Sequence, residues 1–338
     1  MPLTPTASIV DRGTGGGTGS SNAQLFVNAW ILRKFVETLD LNAQLAKVPR
    51  DDTLPIAQGA DTVRWIQFAP LGANITPLVE GTDPTDSVAV PSTQVEGFID
   101  QYGDYIETSD IFPLVAITGS IAAMVERLSR QAIDTVDTLV RNEAKTTTNT
   151  VAPDGIGGTL LAGQTADTAL LRFASEFFQT NNVEPHPATM GGKYFFTVFH
   201  PAQSWDLQAS SGWIDAVKHV APGTAGALEQ DGSATQGASN IWNGSPGVFA
   251  GHQIAISTNI DTATVDTINA YNALSFGREG LGHVALSSNI VSPQIIIRKP
   301  GPQTLSSPLG MRMTWGWKIN YVVKIIDETQ VQLLNSAV

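Results

Sequence analysis

The chain has 338 residues, no cysteine, 19 basic and 31 acidic groups, and a formal charge of −12. Only 15% of its residues are charged, against roughly 25% in an average soluble domain. These figures exclude disulfides, thiolate metal sites and cysteine nucleophiles, and no stretch approaches the ~18 apolar residues of a membrane helix. So few charges imply either an unusual surface or one largely hidden against partners.

In chain order, residues 11–21 (DRGTGGGTGSS) are too poor in apolar groups to order alone and predict a flexible arm. A helix is expected next, with Leu25, Ala29, Leu32, Phe35, Val36 and Leu39 on one face, ended by a turn at Pro49–Pro55. Thr62–Phe68 and Val95–Ile106 have strand composition. They read as the two arms of a β-hairpin whose irregular connection is punctuated by Pro70, Gly72, Pro77, Gly81, Pro84 and Pro91. Hairpin loops are ordinarily two to five residues, so a connection of this length points to a function. The segment 61–112 carries a net charge of −8.

Apolar residues then recur in steps of three and four from Ile117 through Val125, Leu128, Ala132 and Val136 to Val140, which predicts one helix over Thr118–Lys145. Its opposite face places Glu126 with Arg130, Arg130 with Asp134, and Asp137 with Arg141 at i,i+4. At 1.5 Å per residue it would span ~42 Å and act as a spine. A second helix is expected at Thr168–Phe178, a buried strand at Lys193–Phe199, and a short helix opened by His200-Pro201. Residues 221–240 predict a mobile loop, followed by strands at Val248–Ser257, Ala285–Val291, Gln294–Arg298, Met311–Thr314 and Ile319–Ile326. Residues 150–290 carry −7 and residues 291–338 carry +3. No basic stripe suggests sequence-specific nucleic-acid recognition.

No catalytic or metal constellation emerges. The five histidines (186, 200, 219, 252 and 283) share no helix turn and form no H-E-x-x-H. The Gly13–Gly19 run follows no strand and lacks the Lys-Ser/Thr of a phosphate loop. The Gly277–Gly282 cluster reads as a tight turn. His200 with Asp206 has no nucleophile elbow beside it; His200 topping a strand before a Pro-started helix is the simpler reading. Asp110 reads as a helix-start residue rather than the partner of Asp104, and Trp315 with Trp317 as core. No cofactor is expected.

QYGDYIETSDIF (101–112) and DTVDTLVRNE (134–143) resemble the major capsid proteins of tailed phages related to coliphage N-four, with weaker similarity through Tyr194–Leu207 and Asn240–Ser257. The resemblance covers roughly residues 25–330 and implies an α+β chain with the Hong Kong 97 phage capsid fold. It assigns residues 1–60 to an N-terminal arm, 61–107 to an extended hairpin loop and 108–150 to the spine helix of a peripheral domain. Residues 151–290 become an axial domain, and 291–338 peripheral-domain return strands. The implied function is a non-enzymatic major capsid protein forming pentamers and hexamers in an icosahedral virion shell around double-stranded DNA, assembled in the bacterial host cytoplasm.

The implied partners are further copies of itself, a separate scaffolding protein, a portal and a decoration protein; no membrane is involved. The short arm leaves no room for a fused scaffolding domain of ~100 residues. No lysine lies between Lys47 and Lys145, so a hairpin lysine cross-link is closed and a non-covalent shell is expected. Candidate inter-subunit contacts are Arg64, Glu80, Asp83, Asp86, Glu96 and Asp100 on or beside the hairpin. Opposite them stand the cations Arg127, Arg130, Arg298, Lys299, Arg312, Lys318 and Lys324. The competing readings are an encapsulin-like or gene-transfer-particle shell and, from another class, an enzyme with a site assembled around His200, His252 and His283.

Overall fold

The computed structural model describes residues 43–52, 62–69, 71–75, 77, 80–81, 88–109, 120–213, 247–265, 267–285, 294–298 and 311–338. The expected arm, its helix at Leu25–Leu39 and the loop 221–240 lie outside these residues, as does most of the expected strand Ala285–Val291.

The N-terminal half contains β1 (Arg50–Asp51), β2 (Thr62–Phe68), β3 (Ser92–Phe98), β4 (Asp100–Ser109) and helix α1 (Ser120–Ala144). The middle contains β5 (Thr150–Ala152), β6 (Gly155–Ile156), α2 (Thr168–Thr180), β7 (Phe195–Phe199) and α3 (Pro201–Ala209). Then come β8 (Val248–Phe249), β9 (His252–Ile256), β10 (Thr262–Val265), β11 (Ile268–Phe276) and β12 (Leu281–Ala285). The last strands are β13 (Gln294–Arg298), β14 (Arg312–Ile325) and β15 (Val331–Ala337).

A five-stranded sheet has the order β1-β12-β14-β13, with β4 along the other edge of β14. An eight-stranded sheet has the order β6-β5-β15-β11-β7-β9-β8, with β10 on β11. Strands β2 and β3 form a separate two-stranded ribbon. The 25 residues of α1 extend about 37 Å, and the predicted periodicity builds its inner face. Val125, Leu128, Ala132, Val136 and Val140 bury against Trp315, Trp317, Ile319, Tyr321 and Val323 of β14, so the two tryptophans are core residues. The same cluster reaches Phe196, Leu274, Phe276 and Val331 of the second sheet. On that sheet α2 packs Leu170, Leu171 and Ala174 against Phe199, Ile254, Ala273 and Leu334. Each such large apolar side chain contributes roughly 1.5–3 kcal/mol by leaving water.

Several expectations require correction, among them the strand Val248–Ser257, which is the antiparallel pair β8 and β9. The second hairpin arm is not one strand: β3 pairs with β2 from Thr62↔Phe98 to Phe68↔Ser92, whereas β4 pairs with β14 from Asp100↔Tyr321 to Ser109↔Arg312. The chain changes partner at Ile99, which packs beside Val63, Trp65, Val284 and Val322 and pins the ribbon base to the sheet. Met311–Thr314 and Ile319–Ile326 are not two strands but the single β14. At Gly316, between the two expected runs, a Cβ would meet Tyr105 Cβ at 3.0 Å and Asp104 O at 3.1 Å, so this glycine permits a close strand approach. Finally, Asp137 does not sit on the charged face of α1. It is buried at 3% exposure and faces Leu45 and Asn259, while the Glu126–Arg130 pair does form, at 3.2 Å.

The two sheets do not divide at residue 290. Leu281–Ala285 belongs to the five-stranded sheet, and Val331–Ala337 lies inside the eight-stranded one between β5 and β11.

Candidate assembly surfaces

The β2–β3 ribbon has two unlike faces. Val63, Trp65 and Val95 point inward and pack with Val284, Val322 and Ile326 of the five-stranded sheet. Gly97 completes this face, because any Cβ there would fall 2.8 Å from Val322 Cγ2. Alternation sends Ile66 and Phe68 to the other face, which Phe98 shares at the ribbon's opposite end facing Thr62, and all three are exposed, at 61%, 66% and 66%. Beyond the ribbon, Leu71, Ile75, Val88 and Val90 are also exposed, Ile75 at 90%. Isolated exposed apolar residues are ordinary; a run of them along one projecting element marks an interaction surface.

The charged candidates fall into distinct settings. Arg64 and Glu96 face each other across the ribbon at 3.0 Å. Glu80 and Asp100 are exposed, while Asp83, Asp86 and Lys299 lie outside the described residues. Among the cations, Lys324 binds Glu143 of the spine at 3.0 Å, Arg312 binds Glu107 at 3.2 Å, and Arg130 binds Glu126. Arg127, Arg298 and Lys318 have no ion pair among the described residues. The ten that are described do not come together in one site.

Arg298 and Lys318 border a shallow groove of about 460 Å³ on the face of the five-stranded sheet opposite the spine. Register explains it. Tyr105, Gly316 and Ile296 stand in one cross-strand row, and Gly103 lies opposite Lys318 in the next. With glycine at the centre of the row, a slot opens between the Tyr105 ring, 63% exposed, and Ile296. Sequence reasoning missed this site; the spacing of Gly103 and Gly316 carried no signal without the register.

His200, His252 and His283 do not come together in a reaction centre. His200 caps α3, its Nδ1 accepting from Ala202 N at 3.2 Å and its ring stacked on Tyr271 at 4.4 Å, as the strand-top reading expected. His252 is fully buried in the eight-stranded sheet with Nδ1 2.8 Å from Thr197 Oγ1, and burial pushes its pKa down to about 3. His283 belongs to the other sheet, between Asp51 and Tyr321. Asp104 is also structurally occupied: it accepts from Gln131 Nε2 at 2.6 Å and Tyr105 N at 2.8 Å, which lower its pKa. Among the described residues no group of three His, Asp or Glu side chains could hold a metal ion.

No protein-family model and no curated protein matches the chain. Solved structures do. The capsid of Ralstonia phage GP4 aligns over 88% of both chains at TM-score 0.62 and 14% identity. The capsid of Helicobacter pylori bacteriophage KHP30 aligns over 88% of this chain and 92% of its own, at 0.61 and 12%. The capsid of cyanophage Pam1 aligns over 86% and 89%, at 0.61 and 13%. Likeness of this extent at such low identity is a likeness of fold, and it agrees with the long helix, the projecting ribbon and the two sheets. The chain has the α+β Hong Kong 97-type phage capsid fold.

Proposed function

We propose that the chain is a major capsid protein of a tailed bacteriophage, assembling through pentamers and hexamers into an icosahedral shell around double-stranded DNA. The observation that carries this is the outward row Ile66, Phe68 and Phe98, continued by Ile75, Val88 and Val90, on a chain with a shell-forming fold. That row needs a covering surface, and a second copy supplies one in a closed lattice. The chain is a structural protein, not an enzyme, in this reading. The Gln101–Asp110 and Val136–Asn142 motifs support a relation to the phages related to coliphage N-four.

In this reading α1 with the five-stranded sheet is the peripheral domain, the eight-stranded sheet with α2 and α3 the axial domain, and β2–β3 the base of the extended loop. The hairpin of one copy lies across its neighbour, and its acidic, apolar outer part docks in the Tyr105–Ile296 slot between Lys318 and Arg298. Charge complementarity favours that occupant: the hairpin segment carries −8, and these two cations have no ion pair among the described residues. Exposed pairs contribute only ~0–1 kcal/mol each, so they set register more than strength. The overall −12 suits a container, since a strongly basic lining would hold duplex DNA by counterion release. A separate scaffolding protein, a portal and a decoration protein complete the proposed set of partners.

Sedimentation and electron microscopy of the purified protein test the reading. Megadalton icosahedral particles are expected, with scaffold supplied where the pure chain assembles irregularly; a discrete small oligomer under both conditions would sink it. Packaged DNA rather than a packaged enzyme separates a phage capsid from an encapsulin-like shell. The docking site is tested separately: the chain has no cysteine, so an Ile75→Cys/Ile296→Cys pair should form inter-chain disulfides on assembly.

A further inference from the structure

Residues 43–52 touch the spine, the five-stranded sheet, the base of the hairpin and His186 between α2 and β7. Leu45, fully buried, enters the main core, and the N–H groups of Leu45 and Ala46 donate to Asp137 Oδ1 of the spine at 2.8 and 3.0 Å. Val48 O accepts from His186 Nε2 at 3.1 Å; His186 stands between α2 and β7, and its Nδ1 is occupied by Ala188 N. Arg50 and Asp51 pair in parallel with Gly282 and His283 as the edge strand of the five-stranded sheet. Arg50 also reaches Glu279 at 3.3 Å, and Asp51 binds His283 Nε2. Asp52 then donates its N–H to His283 O at 3.0 Å and accepts from Trp65 Nε1 at 2.8 Å. Trp65 is the buried aromatic on the inner face of the hairpin base.

We infer that this segment is a mechanical strap coupling the spine helix to the hairpin base. Seated on Asp137 at one end, it presents Asp52 at the other in the position that holds Trp65, and hence β2, on the sheet. The edge strand between these points is only two residues long, so its place depends on side-chain and capping contacts more than on ladder hydrogen bonds. Lifting the segment from the spine loosens the base of the hairpin. By reciprocity, seating the hairpin tightens residues 43–52 on the spine. The inference concerns the single subunit and does not rest on the shell reading.

Hydrogen–deuterium exchange on the full, unassembled chain tests it, following amides 45–52, 62–68 and 92–98, with 195–199 and 268–276 as references. Relative to the references, Asp137→Ala should speed exchange at 45–52 by at least tenfold and at 62–68 and 92–98 by at least threefold. Accelerated exchange at 45–52 with an unaltered hairpin would overturn the coupling. Should Asp137→Ala lose protection in the references as well, Asp52→Ala and Trp65→Phe read the coupling in reverse. Each should speed exchange at Leu45 and Ala46, and unchanged protection there would equally overturn it. Combining Asp137→Ala with Asp52→Ala should add little at the hairpin, because both open one strap.

Discussion

Asp137 receives two backbone N–H groups on one oxygen and Asn259 Nδ2, at 2.6 Å, on the other. Burial raises its pKa, and these donors oppose the rise by favouring the charged form. Truncation would orphan the donors of Leu45 and Ala46, so Asp137→Ala should cost about 3 kcal/mol in urea denaturation of the isolated subunit. His252 supplies a pH prediction. Its folded pKa lies near 3 against an ordinary 6.5, with desolvation as the cause. The unfolded chain therefore binds the extra proton first, and stability is lost as pH falls from about 6.5 toward 3, by up to about 1.4 kcal/mol per pH unit. His186, also buried and lowered, acts in the same direction. His252→Gln should flatten the fall in denaturation midpoint between pH 7 and 4.5; an unchanged slope would place the dependence elsewhere.

The ribbon separates folding from association. Ile66→Ser with Phe68→Ser removes exposed groups only, so subunit stability should change by less than about 0.5 kcal/mol while particle formation fails. Gly97→Val should do the opposite, destabilising the subunit by forcing the ribbon base off Val322. Elements with a clean local pattern were legible: α1, α2, β7 and the Thr62–Phe68 strand appear where their periodicity places them. Strands β11 and β15 escaped sequence reading although both are almost wholly buried. Their polar members break the alternation, and what satisfies them is remote: Gln332 donates to Ala174 O at 3.3 Å, Ser275 meets Thr197 at 2.9 Å, and Ser336 accepts from Gln203 at 2.8 Å. The candidate surface was legible to the same depth. Counting charges located the acidic hairpin and the basic tail, but Lys324 finds its carboxylate, Glu143, 181 residues away. Only the fold could show that Arg298 and Lys318 have no ion pair among the described residues.

At the scale of the whole molecule, a chain with no cysteine and a hairpin segment without lysine should give a shell held by contacts alone. Assembled particles boiled in reducing SDS should run as a single subunit band; a persistent ladder would reveal another cross-linking chemistry. Charge reversal at Arg298 and Lys318 should weaken assembly at low salt and reduce its salt dependence, read by light scattering. Strand β15 carries a different kind of consequence. It lies between β5 and β11, paired parallel to one and antiparallel to the other, and every residue of it is buried. The strands it joins are all made before it, so during synthesis the eight-stranded sheet waits open at its centre until residues 331–337 emerge. Through that interval the subunit exposes unpaired strand edges and is vulnerable to aggregation. A nascent chain stalled before Val331 should remain protease-sensitive in the second sheet, and emergence of residues 331–337, rather than contact with neighbours, would be the event that first closes the sheet.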